Sequence, residues 1–353
     1  MRNAFPLASY VLLEDPDLIA RIRSDPHGFL HEIRLPVILD EIQNVPELFN
    51  YIRSRIDADP DSKGRWFFTG SQESPLMKGV SESMAGRIAV LQLLPFSIEE
   101  RPDMTMLSGG FPEIANQPAS ARLWFQSYIQ TYLERDIRQV SMVSDLPTFR
   151  RFLMLCASRS GQMLNKTDMA APLGVSVPTV SAWINILEIT CQINLIYPFY
   201  ENFGKRLVKS PKLYFSDSGL LCHLLGIDSE EQLKRSPFLG HVYEGLVASE
   251  IIKKMVNTGR ARQLYYFRDR QGLEVDFIVP VSAMELAVIE AKASMTVTPD
   301  MAGPMARFIG SASRYQSRGY IVHQTVKHVQ TEPVSPGIRA VSITGLLESL
   351  YLE

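Results

Sequence analysis

Four short runs that are apolar at almost every position, Tyr10-Val11-Leu12-Leu13, Val37-Ile38-Leu39, Trp66-Phe67-Phe68 and Val90-Leu91-Gln92-Leu93-Leu94, punctuate the start of the chain. A strand with one wet face alternates apolar and polar residues, whereas a strand without alternation must be covered on both faces. Between these runs lie segments of helical period, such as Leu48, Phe49, Ile52 and Ile56. Buried strands alternating with helices predict an α/β arrangement around a parallel sheet.

The second run ends abruptly in two acids, Leu35-Pro36-Val37-Ile38-Leu39-Asp40-Glu41. In open α/β sheets ligands bind beyond the carboxyl ends of strands, so acids placed there face a site. In a P-loop NTPase the first acid helps hold Mg²⁺ and the second polarises the attacking water. The plainer alternative is that Asp40 caps a helix starting near Val45. Two further features fit the same site. Trp66-Phe67-Phe68-Thr69-Gly70-Ser71 ends in small polar residues that place Ser71 near a γ-phosphate, and Ala85-Gly86-Arg87 sets a guanidinium after a glycine.

The chain has 353 residues, more than one core usually holds, and 36 Lys and Arg against 38 Asp and Glu give a net charge of −2. Overall charge thus argues for neither a nucleic-acid binder nor a membrane-surface protein. Between residues 145 and 215, however, there is a surplus of four positive charges, which marks the middle as the place to meet a polyanion. No apolar stretch is long enough to span a bilayer, and Cys156, Cys191 and Cys222 lie far apart without a CxxC. A soluble, cytoplasmic protein with free thiols is expected, with no membrane association.

That middle segment contains Asn165-Lys166-Thr167-Asp168-Met169-Ala170-Ala171-Pro172-Leu173-Gly174-Val175-Ser176, followed by a helix that turns Val180, Trp183, Ile184 and Leu187 inward. A short helix, a glycine turn, a serine cap and a second helix make a helix-turn-helix, with strands 192–200 and 206–215 as its wing. On DNA, Thr179, Ser181 and Asn185 would reach base edges. Winged helices also serve as domain connectors, and this second helix has no Lys or Arg.

The last third has the most specific spacing. Glu244 falls on the helical stripe of Val247, Ala248, Ile251 and Met255, where an acid needs a partner or a metal. Leu273-Glu274-Val275-Asp276-Phe277-Ile278-Val279 and Ala287-Val288-Ile289-Glu290-Ala291-Lys292 read as neighbouring strands. Glu290 and Lys292, two apart, project from one face. The set Glu244, Asp276, Glu290 and Lys292 matches the site of the PD-(D/E)xK nuclease superfamily, although Val275 stands where that superfamily places proline. The match implies Mg²⁺ on Asp276 and Glu290, with Lys292 orienting water or stabilising developing charge. The ordinary alternative is a set of ion pairs on a sheet surface.

Leu12-Leu13-Glu14-Asp15-Pro16-Asp17, the segment Asp40 to Leu48, and Leu94-Pro95-Phe96-Ser97 complete a pattern over nearly the whole chain. It resembles a prokaryotic family of AAA-type P-loop ATPases. There the ATPase domain precedes a C-terminal domain of unknown function with a restriction-endonuclease-like core. The resemblance implies ATP, with Asp40 on Mg²⁺ and Glu41, Ser71 and Arg87 at the phosphates. Yet the chain contains no GxxxxGK[ST]; its single Gly-Lys pair, Gly204-Lys205, precedes Arg206. Without that loop the acids have no cradle for a triphosphate.

The expectation is therefore an N-terminally shortened member without ATPase activity of its own, in which Met1–Pro6 is the tail of the missing helix. It would have a truncated AAA-type domain at 1–103, a helical and winged-helix region at 104–235, and a restriction-endonuclease-like α/β domain at 236–353. An apolar seam beside Val11–Leu13 and Val37–Leu39 would be left open to a protein partner or a second copy. Two functions remain in view: a metal-dependent nuclease acting on DNA, or a non-enzymatic DNA- or protein-binding module with relic acidic sites.

Overall fold

The computed structural model describes residues 1–70, 84–133, 145–199, 210–325 and 332–350. The chain divides into two compact units, Met1–Val90 and Leu91–Glu353.

In the first unit, β1 (Ser9–Leu12), β2 (Val37–Asp40) and β3 (Trp66–Phe68) form a parallel sheet with β2 in the centre. α1 (Pro16–Ser24), α2 (Pro26–Glu32) and α3 (Leu48–Ala58) supply its cover. α1 starts where it does because the Asp15 side chain accepts from the N–H groups of Asp17 and Leu18 and proline occupies the first turn. α3 turns Leu48, Phe49 and Ile52 into the core that holds Val37 and Leu39.

Three expectations are altered here. Val37, Ile38 and Leu39 are fully buried because β1 and β3 flank them, so among the described residues the seam is confined to the outer edge of β1, which pairs with β2 alone and leaves Leu12 41% exposed. Met1–Pro6 closes into turns, with Ala4 and Phe5 donating to the Met1 carbonyl, and is not part of a helix. Val90–Leu94 joins no sheet among the described residues. Leu94 and Ile98 instead pack on the core of the second unit, which draws the segment away from strand pairing.

The second unit opens with that strap. Ile98 N–H donates to Glu250 at 2.7 Å, Lys253 donates to the Phe96 carbonyl at 2.9 Å, and the two side chains pair at 2.8 Å while almost wholly buried. Gly110 donates to the buried Asp217 at 2.7 Å and accepts from Phe96 N–H. A Cβ on Gly110 would lie 2.3 Å from the Phe96 carbonyl oxygen, so only glycine fits that close approach.

Helices α4 (Pro112–Asn116), α5 (Ala121–Tyr128) and α6 (Leu146–Ser158) lead to α7 (Lys166–Leu173) and α8 (Val177–Ile189), which meet at a bend of 109°. Gly174, at φ +68°, ends α7 in the left-handed region, and the Ser176 hydroxyl caps α8. Val180, Trp183, Ile184 and Leu187 are buried as their spacing requires.

Next come β4 (Ile193–Pro198), β5 (Lys212–Phe215), α9 (Ser218–Leu224), α10 (Glu230–Arg235) and the long α11 (Leu239–Asn257). Strands β6 (Tyr265–Arg268), β7 (Glu274–Pro280) and β8 (Glu285–Lys292) follow, then α12 (Gly303–Ser311), β9 (Gln316–His323), β10 (Glu332–Ser335), β11 (Ile338–Val341) and α13 (Ile343–Leu350).

The sheet order is β10-β11-β9-β8-β7-β6-β4-β5. The strand pair expected as a wing lies at the end of this larger sheet: β4 runs parallel to β6, and Ile196 and Tyr214 share one core with Val247, Phe277 and Ile289. The sheet therefore takes strands from both sides of residue 235. Among the described residues no single helix is long and apolar enough to cross a membrane.

Candidate active site

The antiparallel ladder of β7 and β8 ends at the pair Phe277–Ile289, and the next residue on each strand is an acid, Asp276 and Glu290. Phe277 and Ile289 are fully buried and hold the strands together, which fixes where the acids emerge. Ala291 N–H donates to Asp276 Oδ2 at 2.9 Å, and Lys292 Nζ bonds Glu290 Oε1 at 2.7 Å. Glu290 Oε2 is buried with no hydrogen-bond partner among the described residues.

Burial raises the Asp276 carboxyl, and the charge of Glu244 adds to it against the pull of Lys212, so it is pushed up to about 7. Burial followed by the charge of Asp276 likewise pushes Glu290 up to about 7, against Lys292. Burial works against the Lys292 ammonium, yet Glu290 and Asp276 outweigh it and hold its pKa above the ordinary value. Two crowded carboxylates with an unused oxygen and a charged lysine beside them make a site short of positive charge.

Glu244 extends from α11 toward the same group and is engaged by β5. Lys212 Nζ lies 3.2 Å from Glu244 Oε1, and the Tyr214 hydroxyl donates to that same oxygen. Lys212 also pairs with Glu274 at 2.7 Å, and Arg268 approaches Glu274 at 3.6 Å. His241 Nδ1 stands 4.0 Å from Glu244 Oε2, and burial lowers its pKa. The expected four residues are therefore brought to one region, but Glu244 is held by Lys212 and Tyr214. Among the described residues no three His, Cys, Asp or Glu side chains gather as a metal cluster. What fits a cation is the pair Asp276 and Glu290, with its orphaned oxygen; Mg²⁺ commonly takes one or two carboxylates and keeps waters.

As part of a wing, β5 gives Lys212 and Tyr214 no role at the acids, so the sequence pattern alone does not bring them to the site. A lysine leading an apolar strand, Lys212-Leu213-Tyr214-Phe215, was the available signal, since a buried lysine requires acids.

In the first unit, Asp40 accepts from the Tyr10 hydroxyl and from Thr69 Oγ1, the neighbours on either flanking strand. Burial tends to raise its carboxyl, but the bonds from Thr69 and Tyr10 prevail and hold it below the usual range. Asp40 is thus bonded across the strand ends and does not cap a helix; α3 starts after Glu47 without a side-chain cap. Glu41 sits at φ +58° and accepts from Gln43. Arg87 bonds Asp57 on α3, at 2.5 and 3.2 Å. Ser71 lies outside the described residues, as do Gly204 and Lys205.

On α8, Asn185 is exposed, Thr179 and Ser181 are half-buried, and the Thr179 hydroxyl lies 2.8 Å from that of Ser176. Cys156 and Cys222 are buried free thiols, and Cys191 is a half-buried one. Burial pushes Cys222 up to about 12.

Residues 4–101 match the AAA domain family, residues 99–231 a domain of unknown function (DUF8612), and residues 239–345 another (DUF4143). Over 265 residues the chain is 32% identical to the uncharacterized protein Rv2008c of Mycobacterium tuberculosis and equally to the uncharacterized protein Mb2031c of Mycobacterium bovis. The match takes in 73% of this chain and 59% of each relative. The chain thus carries an AAA-family domain followed by domains of unknown function.

Proposed function

We propose that the second unit is a metal-dependent nuclease-like module of the PD-(D/E)xK kind that acts on DNA, attached to an AAA-type domain that does not hydrolyse ATP within this chain alone. The observation that carries the reading is the placement of Asp276 beside Glu290 with Lys292 bonded to Glu290.

Asp276 and Glu290 would hold Mg²⁺, which when bound polarises a phosphodiester oxygen and acidifies water. Their crowding disfavours the doubly charged state, so the pair gains most when a cation is present. Lys292 stays protonated next to Glu290, where its ammonium orients water and offsets charge developing on the phosphate. Helices α7 and α8 act as the helix-turn-helix that presents Asn185, Thr179 and Ser181 to the duplex. With no Lys or Arg on α8, phosphate contacts must come from elsewhere, so α8 contributes position more than affinity.

At Asp40, the acid expected to meet Mg²⁺ and ATP is paired with Tyr10 and Thr69, and the sequence carries no GxxxxGK[ST] motif to cradle a triphosphate.

The test is cleavage of linear and plasmid DNA with Mg²⁺ or Mn²⁺ by the chain and by Glu290→Ala and Lys292→Ala. Cleavage lost in both variants supports the reading. Absence of cleavage by every form, with salt-sensitive DNA binding retained, supports a binding module with relic acidic sites. That second reading draws on the ion pairs that already neutralise Glu244 and Glu274.

A further inference from the structure

Lys212 is the least accessible charged group around the acids, with its side chain 5% exposed. Lysine is almost never buried so completely unless acids pair with it. Its Nζ lies 2.7 Å from Glu274 and 3.2 Å from Glu244, and 5.6 Å from the centre of the Tyr266 ring, whose face favours a cation. Tyr214 donates to the Glu244 oxygen that faces the ammonium. The acids therefore sort into two pairs. Asp276 and Glu290 keep an unused buried oxygen, while Glu244 and Glu274 are spanned by one ammonium.

We infer that the Lys212 ammonium fills the second of two adjacent cation positions, so that this site takes one divalent ion per chain and Glu244 serves the lysine in place of a metal. The inference rests on the proposed reading of Asp276 and Glu290 as the ion's ligands. Oxygen donors from Glu244 and Glu274 are what a hard divalent cation prefers, and the ammonium occupies the space between them. Removing that charge while keeping the volume leaves Glu244, only 14% exposed, with the Tyr214 hydroxyl and no cation in contact, and Glu274 with only the 3.6 Å approach of Arg268, a state that a divalent cation relieves. Lys212 is thus a positioning residue. It holds Glu244 and limits the charge the site draws in, without touching the reacting atoms.

The test counts Mn²⁺ bound to the full chain near pH 8, by calorimetry and by the loss of the free-ion electron paramagnetic resonance signal. The wild type should take one ion, Lys212→Met two, and Lys212→Arg, which restores a cation, one. Two ions on the wild type, or one on a folded Lys212→Met, would overturn the inference and leave the Asp276 and Glu290 reading standing. No ion on the wild type would overturn both. Should Lys212→Met not fold, the wild-type count together with Lys212→Arg decides, because two ions on either one contradicts a lysine-filled position.

Discussion

The backbone N–H of Ala291 points at Asp276 Oδ2, 2.9 Å away, and so ties one carboxylate to the strand that carries the other, Glu290. The tether holds the acids together even though burial, joined by the charge of Glu244 at Asp276 and of Asp276 at Glu290, pushes both up to about 7. A carboxyl raised this way favours the fold fully below its unfolded pKa of about 4, and that contribution is lost as pH climbs toward 7. Asp276→Asn, always neutral, should melt with the wild type near pH 4.5 and about 3 °C above it at pH 8 without metal. Excess Mn²⁺ at pH 8 should stabilise the wild type alone. Circular dichroism melts at the two pH values check both points.

Lys292 bonds Glu290 but is not among the oxygen ligands, so its removal should separate chemistry from metal retention. Lys292→Met is expected to cut DNA at least about 100-fold more slowly while still taking up one Mn²⁺. Glu290→Gln should lose both. Single-turnover cleavage beside a Mn²⁺ titration distinguishes the two variants.

The buried Glu250 and Lys253 pair clamps the strap through Ile98 N–H and the Phe96 carbonyl. Lys253→Met leaves a carboxylate buried without its cation and should cost about 3–5 kcal/mol. Adding Glu250→Gln removes that charge and should recover more than half of the loss. Urea unfolding of the wild type, the single variant and the double variant gives the comparison.

Gly110 admits no side chain against Phe96. Gly110→Ala should destabilise the second unit by about 1–3 kcal/mol through overpacking, and more where the bond to Asp217 is also lost. Chemical denaturation reports the size of the loss, and an unchanged midpoint would contradict the close approach.

Local signals were readable from sequence wherever one strand or helix decided the outcome. The expected strands Leu273–Val279 and Ala287–Lys292 lie within about two residues of β7 and β8, because apolar runs bounded by turns mark themselves. Asp40 falls at the end of β2, and the inward face of α8 follows its spacing.

What failed depended on partners distant in the chain. Lys212 became meaningful only when β5 joined the sheet of β7, about sixty residues further on. Val90–Leu94 has the composition of a strand, but Leu94 finds its contacts in the second unit. Glu250 and Lys253 stand one turn apart on α11, a spacing that usually marks an exposed helix face; only the strap reveals why both are buried.

The parallel pairing of β4 with β6 carries a lesson for anyone who trims or recombines this gene. The segments at 99–231 and 239–345 look like separable modules, yet their backbones are zipped into a single sheet. A fragment beginning at 239 would emerge with the flank of β6 bare and prone to self-association, and with Glu244 and Glu274 stripped of their lysine. A chimaera spliced at the seam between the two matches would therefore part β4 from β6 and take Lys212 from its acids.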